Sequence, residues 1–264
     1  MDVNQLLIQA LGPILKNYWW LWLLLAILSF LKTPFMKGVF GEFQVNLIAK
    51  LRLDKEVYKL FKNVTLPTED GGTTQIDHVI VSRFGVFVIE TKNIKGWIFG
   101  SEHQKTWTQK IYRHTNKFQN PLHQNYKHTQ TLQSALELTP DKLFSIVVFI
   151  GDSKFKTSMP DNVVYAGGYI RFIKSKQQQI LTETEVAELC KKLEYGRLKP
   201  TIKTHVKHVK HVRNIVEEKQ QKTENACPKC GRPMVLRKAK SGGNQGGQFW
   251  GCTGFPKCRT VRPV

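Results

Sequence analysis

Four cysteines in the last part of the sequence constrain its folding more than any other feature. They occupy positions 227, 230, 252 and 258, and the first two form a Cys-x-x-Cys pair. Tetrahedral zinc takes four such soft ligands, and binding it orders a segment too short to bury a core of its own. We therefore predict that Cys227, Cys230, Cys252 and Cys258 hold a structural Zn²⁺ in a small ribbon. Reduced thiolates of this kind favour a reducing compartment over a disulfide framework.

The excess of basic residues is concentrated in the same part of the sequence. The chain carries 40 Lys and Arg against 20 Asp and Glu, a net charge of +20. Residues 196–264 alone hold 16 basic and 3 acidic residues. This balance favours a polyanionic partner, either a nucleic acid or an anionic membrane surface. The alternative is a solvated, disordered basic arm.

Aromatic residues stand among the basic residues of the predicted ribbon. Aromatic faces stack on unpaired bases while cations follow the phosphates, so single-stranded or unwound DNA is a natural ligand. The alternative for Phe249 and Trp250 is packing over the zinc. The predicted DNA contacts are Arg232, Arg237, Lys238, Lys240, Phe249, Trp250, Phe255, Lys257 and Arg259.

The cysteine segment resembles a known DNA-binding module. Residues 227–259 contain the elements CPKCG, FWGC and FPKC, and they resemble the four-cysteine zinc finger of bacterial type IA topoisomerases. The resemblance implies DNA binding, especially to single strands. Because the rest of the chain is far too short for a topoisomerase, it implies only the binding role.

An uncharged apolar run lies near the start of the sequence. Residues 18–31 contain no charge, and the apolar character extends back to Leu6, broken by Lys16, Gly12 and Pro13. A bilayer span needs about 20 apolar residues, and aromatic residues such as Trp19 favour its interface. We expect residues 1–34 to form a single-pass anchor in the cytoplasmic membrane of a bacterium, with the following domains in the cytoplasm. A buried core helix is the alternative.

The central part of the sequence alternates helix and strand patterns. Helices are predicted over 42–53, 120–138 and 182–194, the last with Thr182 and Glu185 as a capping box. Strands are predicted over 58–66, 75–82, 86–92, 96–100, 106–112, 143–151 and 163–165. We therefore predict an α/β domain over residues 35–198, a basic linker over 199–225, and the ribbon over 226–264.

Two acidic residues and a lysine lie on the two strands of a predicted hairpin. A turn centred between Arg83 and Phe84 places Asp77 directly opposite Glu90, with Lys92 on the same face. Adjacent carboxylates repel each other unless a cation compensates them, and Mg²⁺ or Mn²⁺ would do so. The backbone carbonyl of Thr91 is a further candidate ligand. The alternative is a weak ion pair between Glu90 and Lys92 at the sheet edge.

These residues lie within a longer resemblance. The segments Gly41-Glu42, QIDHV, GVFVIETK and NPLHQ over residues 38–150 resemble the NERD, or nuclease-related, domain of the PD-(D/E)xK phosphodiesterases. The resemblance implies a restriction-endonuclease-like mixed sheet flanked by helices, with Asp77 and Glu90 as metal ligands and Lys92 as the catalytic lysine. By the same matching, the remaining site residues are Glu42, Gln109 and Gln124.

Three functions fit these features. The first is a membrane-anchored, metal-dependent DNA nuclease that hydrolyses phosphodiester bonds, with the ribbon delivering DNA to the site. The second is a non-catalytic protein that tethers DNA to the membrane, and the third is an RNA-processing enzyme. The five histidines at positions 78, 103, 114, 123 and 128 receive no role.

Overall fold

The computed structural model describes residues 17–68, 71–198, 226–239 and 246–263. The chain divides into two compact units, residues 1–200 and 201–264. The predicted linker, Lys240 and the first part of the predicted anchor lie outside the described residues.

The first unit combines helices with two β-sheets. Its described helices are α1 (Trp19–Leu31), α2 (Pro34–Arg52), α3 (Pro121–Leu136), α4 (Gly168–Ser175) and α5 (Glu183–Gly196). Its strands are β1 (Lys59–Pro67), β2 (Thr73–Ser82), β3 (Gly85–Asn93), β4 (Gly96–Phe99), β5 (Thr106–Ile111), β6 (His114–Gln119), β7 (Leu143–Ile150), β8 (Ser153–Phe155) and β9 (Val163–Tyr165). A 3-10 turn at Pro140–Lys142 precedes β7.

The larger sheet is mixed, with strand order β1-β2-β3-β7-β9. Strands β1, β2 and β3 pair antiparallel as a meander, whereas β3–β7 and β7–β9 pair in parallel. The parallel pairing of β3 with β7 follows from the chain between them, which is long enough to include α3 and return. A mixed α/β fold is therefore confirmed.

Alternating apolar residues give the larger sheet two covered faces. Val79, Val81, Val86 and Val88 pack on one face with leucines of α3 and α5. Ile80, Phe87 and Ile89 alternate with them and pack on the other face with α2 and α4. Period-two alternation of large apolar side chains produces this arrangement of helices on both faces.

A second, four-stranded sheet has the strand order β6-β5-β4-β8; its strands β4, β5 and β6 form an insertion between β3 and α3, whereas β8 follows β7. One of its faces is closed by Ile98 and Trp107, which pack with Val147 and Phe149 of β7. Trp107 stacks on Phe149 with ring centroids 6.1 Å apart. The insertion therefore shares a core with the larger sheet.

Asn120 connects this insertion to α3. It is fully buried, and its Oδ1 caps the helix by accepting from the Leu122 backbone N–H at 2.9 Å. Its Nδ2 donates to the carbonyls of Ser101, Glu102 and Gln104. Asn120 thus fixes both the start of the helix and the loop before β5, because all four contacts radiate from one amide.

The amino-terminal helices differ from the predicted anchor. No single helix in the described residues is both long and apolar enough to cross a membrane, although α1 and α2 together have the required length and composition across a bend of 66°. Helix α2 begins at Pro34, earlier than the helix predicted from residue 42. Val45 and Ala49 of α2 are buried in the core, so this helix belongs to the α/β domain.

The second unit contains a three-stranded antiparallel sheet of β10 (Met234–Lys238), β11 (Gln248–Cys252) and β12 (Val261–Pro263). Its small buried cluster consists of Met234 with three of the cysteines, and Trp250 packs against it. A core of this size needs a metal for stability, which agrees with the predicted ribbon.

Candidate metal and phosphodiester site

The β2–β3 hairpin has the register expected from its turn. His78 pairs with Ile89, and the pairing continues to Ser82 and Gly85. Next to these pairs, Asp77 Oδ2 accepts a hydrogen bond from the Thr91 backbone N–H at 2.8 Å. The predicted neighbourhood of Asp77 and the Glu90–Lys92 segment is therefore present.

His78 points away from this site. It follows Asp77 on the opposite face of β2 and is completely buried. Burial lowers the pKa of His78 to about 4, so the ring is neutral in the core at physiological pH. Its position fits a structural residue.

Lys92 connects strand β3 to helix α3. Its Nζ contacts Glu90 Oε1 at 2.5 Å and donates to Gln124 Oε1 at 2.8 Å. Helix α3 begins at Asn120-Pro121, which places Gln124 in its first turn. The structure thus brings Gln124 to Glu90 and Lys92, which precede it by more than thirty residues in the sequence.

His128 is a site residue that the sequence reasoning missed. Its Nε2 lies 3.3 Å from Glu90 Oε2, and its Nδ1 hydrogen-bonds Thr74 Oγ1 at 2.7 Å. Gln124 and His128 are four residues apart on α3, so they occupy the same helical face. That spacing was the available signal, but it becomes informative only once α3 is known to pack against β3.

Asn125 explains why α3 packs there. Its buried Nδ2 donates to the Val88 carbonyl at 2.9 Å, to Ser145 Oγ at 2.9 Å and to the Ile146 carbonyl at 3.1 Å. These acceptors lie on β3 and β7, the parallel pair at the centre of the larger sheet. The amide therefore fixes the helix that presents Gln124 and His128.

Glu42 approaches the same site from α2. A side chain at the preceding Gly41 would lie 2.8 Å from Asn93 Cβ, so glycine permits α2 to pack against the end of β3. Asn93 Nδ2 also donates to the Lys37 carbonyl at 2.5 Å. Glu42 is thus held beside the end of β3, near the other carboxyl groups.

The three carboxyl groups influence one another electrostatically. Burial raises the pKa of Asp77 well above its usual range, and the charges of Glu90 and Glu42 raise it further. Burial also raises the pKa of Glu42, with a contribution from Glu90. Burial opposes ionisation of Glu90 as well, but Lys92 and His128 lower its pKa below the ordinary value. Glu90 is therefore the ionised member, while its neighbours resist ionisation.

The donor set fits a hard divalent cation. Glu90 is buried with His128 Nε2 3.3 Å from its Oε2, and Asp77 Oδ2 accepts a hydrogen bond from the Thr91 backbone N–H of the adjacent strand. Carboxylate and carbonyl oxygens are the ligands of Mg²⁺ and Mn²⁺, and such an ion would favour ionisation of all three acids. In the described residues, the carboxylate oxygens of Glu42, Asp77 and Glu90 do not all lie close enough together to form a three-ligand group. The case for a bound cation therefore depends on Asp77 and Glu90.

Gln109 occupies a different part of the structure. It lies on β5 of the four-stranded sheet, where its Nε2 donates to the Lys95 carbonyl at 2.7 Å. Its predicted role in catalysis and the role of the Thr91 carbonyl as a ligand stay predictions.

The four ribbon cysteines converge as the sequence predicted. One ligand atom from each of Cys227, Cys230, Cys252 and Cys258 lies within 4.8 Å of the others. The Gly254 backbone N–H donates to Cys252 Sγ at 3.2 Å, a contact that favours a thiolate ligand. The cluster fits a structural zinc ion.

The aromatic residues of the ribbon take different positions. Trp250 lies on the same strand face as Met234 and packs against the cysteine cluster, whereas Phe249 pairs with Arg237 on the opposite face. Phe255 is 60% exposed. Of the remaining predicted contacts, four are exposed basic side chains: Arg232, Lys238, Lys257 and Arg259. Packing over the metal therefore accounts for Trp250, while Phe249 and Phe255 remain candidate DNA contacts.

Comparison with known families matches both units. Residues 37–150 match the nuclease-related domain, and residues 224–264 match the topoisomerase DNA-binding C4 zinc finger. An uncharacterized protein of Bacillus anthracis is 49% identical over 104 residues, which cover 39% of this chain and 49% of that protein. The chain thus spans about half the length of this relative. No solved structure matches the chain.

Proposed function

Because the chain carries a nuclease-related domain and a topoisomerase-type zinc finger, we propose that it is a metal-dependent DNA nuclease. The zinc finger indicates DNA binding, and the proposal adds phosphodiester hydrolysis at Asp77, Glu90 and Lys92. A restriction-endonuclease-like arrangement of the mixed sheet is part of the same proposal.

One observation carries the proposal. Glu90 is buried and lies beside a second carboxyl group at Asp77 and the ammonium group of Lys92. Two carboxyl groups withdrawn from water together cost stability unless something compensates their charge, so this arrangement favours a functional site. A lysine on the same strand adds a proton acceptor or donor next to the carboxyl pair.

The residues divide the chemistry among them. Asp77, Glu90 and the Thr91 carbonyl would hold Mg²⁺ or Mn²⁺, which when bound stabilises charge on the scissile phosphate and activates water. Lys92, held by Gln124, orients the attacking water or takes its proton. Glu42 adds negative charge beside the pair, and His128 holds Glu90 in place. Water adds to phosphorus, one P–O bond breaks, and the leaving oxygen is protonated.

The decisive test is cleavage by the full chain in detergent, with single- and double-stranded DNA and Mg²⁺ or Mn²⁺. We expect Asp77→Ala to reduce the rate by about a thousandfold, since loss of a metal ligand removes several kcal/mol of charge stabilisation. Asp161→Ala is the matched control, because Asp161 is exposed and lies outside the site.

Equal rates in the wild type and in Asp77→Ala would exclude hydrolysis at this site. An intact wild-type chain that binds DNA without cutting it would support a non-catalytic DNA-binding protein instead. One observation favours that second candidate, because Lys92 and His128 already compensate Glu90 without a cation.

Membrane attachment is a further part of the proposal. Helix α1 has no buried residue, and the outer face of α2 exposes Phe35 and Phe43 at 60% each. Apolar surface of this extent on adjoining helices needs a cover, and a lipid bilayer would supply it. A single-pass anchor would leave the nuclease-related domain in the cytoplasm.

Deleting residues 1–31 is expected to move the protein from the membrane fraction to the soluble fraction. The control is full-length chain carrying Leu198→Ala, a change remote in sequence from α1, which should stay with the membrane. A wild-type chain that remains in the supernatant after membranes are sedimented, without detergent, would contradict the anchor.

A further inference from the structure

The outward face of the four-stranded sheet is basic and carries an exposed tryptophan. We call the surface formed by Trp97, Lys110, Lys117, Lys154 and Lys156 the basic face. All four lysines are exposed, and Trp97 is 47% exposed. Nothing in the proposed chemistry at Asp77 and Glu90 uses these side chains.

Strand register places these residues on one face. Trp97 pairs with Lys110 of β5 and with Lys154 of β8, so the three side chains project to the same side. Thr108 pairs with Lys117 of β6 and lies two residues from Lys110, which puts Lys117 on that side as well. The alternate residues Ile98 and Trp107 are buried in the core.

The charge on this face is not neutralised within the unit. None of the ion pairs in the described part of the chain uses the four lysines of the basic face. Lys156 Nζ lies 4.5 Å from the centroid of the Trp97 ring, a cation–π contact. A cavity of about 450 Å³ adjoins Trp97, Lys110 and Lys154, with Asp152 as the acidic residue of its lining. The surface therefore presents positive charge around an aromatic ring.

The hairpin next to this face has an exposed aromatic residue in a strained conformation. Tyr112, at the β5–β6 turn, has φ of 51° and a 93% exposed side chain. A bulky residue in the left-handed region costs about 1–3 kcal/mol, and Tyr112 recovers none of this through burial. Its exposed ring lines the same cavity as Trp97 and Lys110.

We infer that the basic face binds single-stranded DNA and leads it to the site at Asp77 and Glu90. Lys110 and Lys154 lie on the strands either side of Trp97, so their Cα atoms are about 10 Å apart. That arrangement suits one base stacked on Trp97 with phosphates contacted on both sides. An uncharged or basic partner would leave the lysines uncompensated.

Chain connectivity relates this face to the reaction. The insertion leaves β3 just after Lys92 and returns into α3 just before Gln124, and these two side chains are hydrogen-bonded. A DNA strand held on Trp97 and Lys110 is therefore bound by a segment attached at both ends to the proposed catalytic residues, while Lys154 joins the face from β8, which follows β7. The inference rests on DNA being the substrate, as proposed above.

The test measures binding of the full chain, in detergent and without added Mg²⁺ or Mn²⁺, to a 20-nucleotide single-stranded DNA at several salt concentrations. Loss of two phosphate contacts in Lys110→Ala/Lys154→Ala should reduce the log–log salt slope by about 1.4, which is about 25-fold in affinity at 0.1 M salt. The matched control, Lys174→Ala/Lys191→Ala, removes two exposed lysines elsewhere and should leave the slope unchanged.

A second readout identifies the contact itself. A DNA strand carrying 5-iododeoxyuridine should photocrosslink to the tryptic peptide of residues 96–105, which contains Trp97. The crosslink should decrease in Lys110→Ala/Lys154→Ala and persist in the control pair. This readout separates the basic face from the zinc finger, which also binds DNA in the same chain.

An unchanged salt slope together with no crosslink to residues 96–105 would overturn the inference. Tighter binding to an RNA of the same sequence, lost in the same variant, would overturn the assignment to DNA. Because the binding reactions contain no added Mg²⁺ or Mn²⁺, these results do not depend on hydrolysis. Crosslinking at Trp97 by a chain that never cuts DNA would support the surface while excluding the nuclease.

Discussion

Replacing Lys92 by alanine is expected to slow DNA cleavage by about 10²- to 10⁴-fold, the usual contribution of a proton-transferring side chain. The carboxyl groups of Asp77 and Glu90 stay in place in this variant, so metal binding should survive. Both variants are thus expected to lose activity for different reasons. Asp77→Ala loses a metal ligand, whereas Lys92→Ala keeps the ligands and loses the proton-transferring group.

Thermal stability with and without Mg²⁺ tests whether the metal site survives in Lys92→Ala. Lys92 is the main positive charge that lowers the pKa of Glu90, so its removal leaves a buried carboxyl poorly compensated. We expect Lys92→Ala to melt lower than the wild type in EDTA and to gain more stability from added Mg²⁺. Glu90→Gln should lose that Mg²⁺-dependent gain, whereas Glu188→Gln, at an exposed position on α5, should retain it.

Two results would contradict this account. A Lys92→Ala chain that cuts DNA at the wild-type rate would remove the lysine from the chemistry. A wild-type melting temperature that does not change between EDTA and millimolar Mg²⁺ or Mn²⁺, with Glu90→Gln behaving identically, would remove the cation from the site.

Removing zinc is expected to unfold the ribbon and to weaken DNA binding by the whole chain. The ribbon's buried cluster consists of Met234 and three cysteines, so apolar burial alone cannot hold β10 and β11 together. Structural zinc in modules of this kind contributes about 10–16 kcal/mol of apparent binding free energy. Chelation or Cys252→Ser should therefore remove one zinc per chain and abolish the ribbon's ordered structure.

The measurement combines metal analysis of the purified chain with binding to single-stranded DNA. Cys190→Ser is the matched control, because Cys190 lies on α5 in the first unit and is not among the clustered cysteines. Full zinc content in Cys252→Ser would exclude Cys252 as a required zinc ligand. Unchanged DNA affinity after zinc is removed would separate the ribbon from DNA binding.

The parts of the fold that depend on neighbouring residues could be predicted from the sequence. The β2–β3 register follows from a tight turn and from valines that alternate with Ile80 and Phe87. The start of α3 follows from Asn120-Pro121, and the start of α5 follows from the Thr182–Glu185 capping box, which is present in the structure. Each of these signals acts within a few residues.

Other elements gave no such signal. Strand β6 exposes most of its residues, so it lacks the alternation that marks a strand. Strand β8 has three residues, and α4 begins at Gly168, an unfavourable helix former. All three elements were absent from the prediction, because pairing with β5 or β4 and burial of Tyr169 stabilise them from a distance.

The site divides in the same way. Asp77, Glu90 and Lys92 share a hairpin, so local geometry was enough to bring them together. His128 reaches Glu90 and Thr74 only because α3 packs on the sheet. Asn125 fixes that packing by hydrogen bonds to β3 and β7. The positions of the histidines in the sequence do not show that α3 packs on the sheet in this way.

The two-residue break between α1 and α2 has a consequence for access. Helix α1 ends at Leu31, α2 begins at Pro34, and α2 is locked into the domain through Val45 and Ala49. If α1 is embedded in lipid, the two-residue connection is too short to let the α/β domain move away from the membrane surface. A domain of this length is about 40 Å across, so every part of it would lie within roughly that distance of the bilayer surface. Only DNA that comes this close to the bilayer could then be bound.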